Sequence, residues 1–313
     1  MHCPGVVLRF LHHFIVIRPA KHEPARACND LLHRRVSSCS FGNIAAALLA
    51  PDCGKLAARL RTRIYLTGRI AVEHAGTLAF DERSFPGRQG RLAFAYLATN
   101  LHRAVAKGEL IDALWGDSPP REVDVTLSAV LSRLRALLRK GDLGAGIEVQ
   151  QGSIGLRVPA DAWLDIESAC NAIDQAEGAD RRGDERAAWS YANVASVIAG
   201  RPFLQSDEAP WIEGQRQRLR SVLIRGLQCL SSLSAQAGQL PVAIQYAGQI
   251  IEIEPCREAA YQQVMRLHVR MGNAAEALRL FDKCRLRLRD ELGTSPSPET
   301  ARLHLSILRG EVE

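Results

Sequence analysis

The sequence predicts an α+β domain followed by an all-α domain of repeated helix pairs. Three observations carry this. Within residues 62–160 the apolar period switches from two to helical and back to two. From 161 to 309 helical periods follow one another with no strand pattern. Inside that run lies a 34-residue register. A chain of 313 residues also suits two domains.

The front domain opens at Arg63-Ile-Tyr-Leu-Thr-Gly-Arg-Ile-Ala-Val72, whose apolar alternation and β-branched content predict a strand. Thr77–Phe80 supplies its partner after the turn His74-Ala-Gly76. Beyond Pro86-Gly87 the period becomes helical, and Leu92, Tyr96 or Ala95, and Leu97, with Ala93 and Phe94, predict a first helix over about 88–101. A second, short helix over about 107–115 turns Leu110, Ile111, Leu114 and Trp115 inward, and Gly116-Asp-Ser-Pro-Pro120 stops it. A third helix spans about 121–139. The runs Ile147–Gln150 and Ile154–Val158, joined through Gln151-Gly-Ser153, then predict a hairpin ended by Pro159.

In the rear domain, 161–313, helices are broken at Gly183, Gly200-Arg-Pro202, Pro210, Gly238, Pro255, Gly272 and Gly293–Pro298. Gly238 and Gly272 lie 34 apart, as do Ala243 and Ala277, and Tyr246 is mirrored by Leu280-Phe281. Gly183, Ala188 and Tyr191 repeat the offsets 0, +5 and +8 upstream. Glycine at a turn, then a small residue, then a large one at this spacing is the tetratricopeptide pattern. Residues 1–61 show no sustained period and are expected to be a disordered extension.

Charge divides the chain in the same way. Residues 1–60 carry +5, 61–160 carry +4 and 161–313 carry −3, within a total of +6. A basic front part suggests a polyanion partner. The third helix is where that charge is best organised. Leu127, Leu131, Leu134 and Leu138 fall on one stripe. At the helical step Arg133 projects roughly 135° away from it. Ser132 lies beyond the opposite shoulder, and Arg135 and Thr126 sit on the flanks. No acidic residue occurs between Val125 and Gly141, whereas Arg133, Arg135, Arg139 and Lys140 do. A leucine spine with hydroxyls and arginines outside suits a duplex major groove.

Leu66-Thr-Gly68, Gly90–Ala98, Leu110-Ile-Asp-Ala-Leu-Trp-Gly116, Pro119-Pro120 and Thr126–Arg135 resemble an OmpR-type winged helix. The Leu-Trp-Gly-Asp…Pro-Pro phrase is similar, more narrowly, to the Streptomyces antibiotic regulatory protein family of transcriptional activators. Gly200-Arg-Pro-Phe-Leu204, Trp211, Glu254–Glu258, Gly272–Leu278 and Asp290-Glu-Leu-Gly293 resemble the bacterial transcriptional activator domain that follows the winged helix there. The departure is the hairpin, where Ser153-Ile154-Gly155 replaces the family's Gly-Tyr step. The resemblance implies a winged helix-turn-helix in which the third helix enters the major groove of double-stranded DNA. Arg133 then reads a base, with Ser132 and Thr126 beside it. Phosphate contacts fall to Arg135, Arg139 and Ser128, to Arg88 and Arg91 at the first helix, and to Arg157 on the wing. It also implies binding to direct repeats near a promoter, with the rear domain contacting RNA polymerase or a second copy on DNA.

Other classes find little support. Gly54-Lys55 is followed by leucine and lacks the upstream glycine, so no phosphate-binding loop is formed. His12 and His13 are adjacent and point apart, no Cys-x-x-Cys pair occurs, and Asp112, Asp165 and Asp174 read as caps or surface groups. The eight cysteines are expected to be unbridged. No enzyme activity, cofactor, metal or membrane partner is expected, and the location is the bacterial cytoplasm. The main competing reading is a helical-repeat adaptor that binds protein without specific DNA recognition, and a third is a small-molecule sensor using the helical cavity.

Overall fold

The computed structural model describes residues 62–311. The expected N-terminal extension lies outside them. The front domain begins with β1 (Thr62–Tyr65), β2 (Ala71–His74) and β3 (Thr77–Asp81), and continues with helices α1 (Gly87–Ala98), α2 (Lys107–Trp115) and α3 (Val123–Lys140). Between α1 and α2 lies the two-residue β4 (Val105–Ala106), and after α3 comes the hairpin β5 (Gly146–Gln150) and β6 (Ser153–Arg157). The expected order of strands, three helices and hairpin is therefore present.

Two expectations about strands need correction. The run 63–72 is not one strand but two antiparallel ones, with Ile64 opposite Val72 and Tyr65 opposite Ala71. Gly68 turns the chain at φ +80°, a conformation that costs a glycine little, and its N–H donates to the Pro202 carbonyl at 2.7 Å. Nor is the segment after 160 free of strand. β7 (Trp163–Leu164) runs parallel to β1 and completes the sheet in the order β3-β2-β1-β7. Two residues carry too little pattern to be read from sequence.

Burial follows the predicted faces. α1 buries residues on nearly every side, and at Gly90 a Cβ would stand 2.6 Å from the Pro86 ring, so only glycine fits. Leu110 and Leu114 of α2 are buried, with Ile111 and Trp115 half-buried. Leu127, Leu131, Leu134 and Leu138 of α3 are all buried. Each such side chain contributes about 1.5–3 kcal/mol, so the stripe fixes the rotation of α3 about its axis.

The rear domain pairs α4 (Asp165–Arg181) with α5 (Glu185–Ala199), α6 (Pro210–Gln236) with α7 (Leu240–Ile253) and α8 (Glu258–Arg270) with α9 (Ala274–Leu292). A last helix, α10 (Pro298–Arg309), packs on the final pair. The repeat register has a direct physical basis. Gly183, Gly238 and Gly272 stand at the turn inside each pair with φ +74°, +74° and +77°. The N–H after each glycine donates five residues back, from Asp184 to Ala179, Gln239 to Ser234 and Asn273 to His268, at 2.8–3.0 Å. Such a left-handed residue terminates the first helix of each pair. Ala188, Ala243 and Ala277 are fully buried where the second helix crosses the first. The large residue at +8 is less uniform: Tyr246 and Phe281 are half-buried, but Tyr191 is exposed. Pro210 does not break a helix; it opens α6 at its first turn, where its missing N–H costs nothing.

The two domains share one core, which runs from Ile64 through Leu110 and Leu134 to Ile212 and Leu230. Three polar joints reinforce it. Asp165, with no solvent exposure, accepts at Oδ2 from the Leu66 and Thr67 N–H groups at 2.9 and 2.8 Å and from the Thr67 hydroxyl at 2.8 Å. Its Oδ1 accepts from the Ile166 N–H. The strap between α5 and α6, residues 200–209, bridges Phe203 to Thr67 and holds Asp207 against α1. Trp211 Nε1 donates to the Ala113 carbonyl at 3.0 Å while its ring meets Tyr96 edge-on. No described helix is long and apolar enough to cross a membrane. The four cysteines among the described residues are free, and burial pushes the Cys229 and Cys284 thiols up to about 11 and about 12.

Candidate nucleic-acid interface

α3 presents its outer face because its leucine stripe is committed to the core. Arg133, Ser132, Ser128 and Arg139 are all exposed on it. Arg133, Arg139 and Lys140 have no ion-pair or hydrogen-bond partner among the described residues. Ala129 and Ala136 lie between them, exposed and small enough to let another molecule approach the backbone. Asp124, in the first turn of α3, is tied to Lys107 Nζ at 2.7 Å. What remains is a smooth, positively charged helix surface with hydroxyl donors, the composition that tolerates a phosphate-lined groove.

Sequence reading passed over Val125. It is 64% exposed in the first turn of α3, about 150° from the leucine stripe at the helical step. A β-branched apolar residue at that angle is the signal that could have found it, because nothing among the described residues covers it. An apolar side chain there can meet a thymine methyl.

The other candidates are placed differently. Thr126 is half-buried, and its hydroxyl donates to the Glu122 carbonyl at 2.9 Å, closing the first turn of α3. Arg135 is half-buried, with Nε donating to the Ile147 carbonyl at 3.2 Å, so it links α3 to the hairpin. Arg157 pairs with Glu148 across the hairpin at 2.9 Å. Arg88 and Arg91 do not stand free for phosphate. Both reach the carboxylate of Asp207, at 2.7 Å each, and Arg91 also pairs with Glu82 at 2.9 Å. Asp207 is 2% exposed, and an uncompensated carboxylate at that depth would be costly, so the two arginines serve the domain joint.

The model of the bacterial transcriptional activator domain matches residues 164–308, the helical-repeat part. The chain is 30% identical over 225 residues to the regulatory protein AfsR of Streptomyces griseus, covering 72% of this chain and 23% of AfsR. It is 26% identical to the transcriptional regulator RedD of Streptomyces coelicolor, over 77% of this chain and 71% of RedD. In its 164–308 match and in these two relatives the chain is similar to regulators of the Streptomyces antibiotic regulatory protein type. It spans less than a quarter of AfsR, so the match to that relative concerns one portion of a larger protein. Mycobacterium tuberculosis EmbR, solved in complex with a low-affinity phosphopeptide, shares the fold at a TM-score of 0.68 and 20% identity, over 80% of this chain and 66% of that one. That likeness extends beyond the 164–308 match into the front domain, since the latter accounts for less than half of the chain.

Proposed function

We propose that this chain is a member of the Streptomyces antibiotic regulatory protein family and a sequence-specific activator of transcription in the bacterial cytoplasm. On this reading the front domain is an OmpR-type winged helix and α3 enters the major groove of double-stranded DNA. Arg133 reads a base edge, with Ser132 and Val125 beside it. Arg139, Ser128 and the free nitrogens of Arg135 meet phosphates. The observation that supports the reading best is the outer face of α3, where Arg133 and Arg139 are exposed and unpartnered among the described residues while Leu127, Leu131, Leu134 and Leu138 are buried on the opposite face. The rear domain, of opposite net charge, contacts RNA polymerase or a neighbouring copy on directly repeated half-sites, raising apparent affinity without further base contacts.

The test uses the full chain on a site selected from random duplexes. Arg133→Ala is expected to cost about 1–3 kcal/mol at one base position and to relax the preference there. Unchanged affinity and preference would remove α3 from the recognition role. Arg135→Ala is expected to weaken binding to all duplexes alike and to flatten the salt dependence by about one unit. If instead the slope holds and only thermal stability drops, Arg135 anchors the hairpin and nothing else.

A further inference from the structure

The strap 200–209 and the flank of α6 enclose a groove of about 400 Å³ far along the chain from α3. Its floor is apolar, made by Phe203, Leu219, Leu223 and Ile253. Arg201, Arg216 and Arg220 line it, and no aspartate or glutamate does. The three arginines are not equivalent. Arg216 is held by the chain itself, donating to the carbonyls of Phe203, Leu204 and Asp207 at 3.1, 2.7 and 2.9 Å. Arg201 and Arg220 are exposed and have no ion-pair or hydrogen-bond partner among the described residues. Arg225 of the same domain, by contrast, is held by the carboxylates of Asp174 and Glu177. Here two free guanidinium groups border a groove whose apolar lining is half-buried at Leu223 and Ile253 and buried at Phe203 and Leu219.

We propose that this groove binds a small amphipathic organic anion, a carboxylate or phosphate carried on an apolar acyl or aryl body. A guanidinium fork matches both anions. The floor removes the apolar body from water, and the volume falls in the range of about 300–1,000 Å³ in which small-ligand sites lie. The site also has a structural neighbour of consequence. Leu204 adopts φ +43°, a left-handed conformation unusual for leucine, and Arg216 clamps its carbonyl. The same strap bridges to Thr67 and Gly68 of the front domain. A ligand in the groove therefore sits against the joint between the domains.

The test is calorimetric titration of the full chain with octyl phosphate below its micellar concentration, beside octanol and inorganic phosphate. Octyl phosphate is expected to bind with one-to-one stoichiometry and at least about tenfold more tightly than either control, since each control lacks one half of the recognition. Arg201→Ala/Arg220→Ala is expected to weaken it at least about tenfold while leaving the melting curve in place, because neither side chain has a partner to lose. Equal binding by that variant, or binding of octyl phosphate no tighter than octanol, overturns the proposal. A peptide bearing glutamate beside leucine offers the same chemistry on a protein. If it binds and octyl phosphate does not, the ligand is a protein segment and the proposal fails.

Discussion

Asp165→Ala is expected to lower the unfolding free energy of the full chain by about 2–4 kcal/mol, read from urea unfolding. The carboxylate is wholly buried and collects three donors from Leu66 and Thr67 of the front domain at one oxygen. Alanine leaves two backbone N–H groups without an acceptor at a depth water does not reach, at about 1–3 kcal/mol each. Part of that loss is recovered. Burial pushes the Asp165 carboxyl above its ordinary range, and the hydrogen bonds from Thr67, Leu66 and Ile166 offset only some of it. Removing the charge therefore also removes a desolvation cost. Asp165→Asn is expected to fall between the two, since one oxygen remains but an NH2 faces N–H donors. A shift below about 0.5 kcal/mol for alanine would mean that water or a backbone adjustment satisfies Leu66 and Thr67.

Asp207→Ala is the second large effect, expected at about 2–3 kcal/mol. The value lies below the about 3–5 kcal/mol for breaking a fully buried pair, because the Arg88 side chain is half exposed and water can take over its charge. Arg91 is the costlier loss. It is only 19% exposed, and its Nε is already buried without a partner. A double-mutant cycle with Arg91→Ala should return a coupling of at least about 1 kcal/mol. A coupling near zero would show that the pair is formed without stabilising the joint. Because both domains draw on one core, the transition should stay single in either variant.

The elements with a long, regular period were legible. The stripe of α3 needs only four leucines at helical spacing, and all four are buried. The repeat register was legible for a similar reason. A left-handed turn and a helix crossing each demand one residue type, glycine at 183, 238 and 272 and alanine at 188, 243 and 277. The outward placement of Arg133 followed from the same geometry, because a helix whose apolar face is fixed has its opposite face fixed too.

The long-range pairings were not legible. Arg88 and Arg91 look like any basic residues opening a helix, and nothing near them in sequence announces Asp207, more than 110 residues away. Asp165 reads as a cap, and only the approach of β1 turns it into the acceptor that joins the domains. β7 has two residues and earns its place by pairing with β1. By itself the sequence determined the local periods: three front helices, a hairpin, a helical-repeat tail and an outer α3 face free of carboxylate between Val125 and Gly141. Tertiary structure alone decided which charges face solvent and which are spent inside. Burial and partner distance depend on residues far apart in the chain, and no local period encodes them.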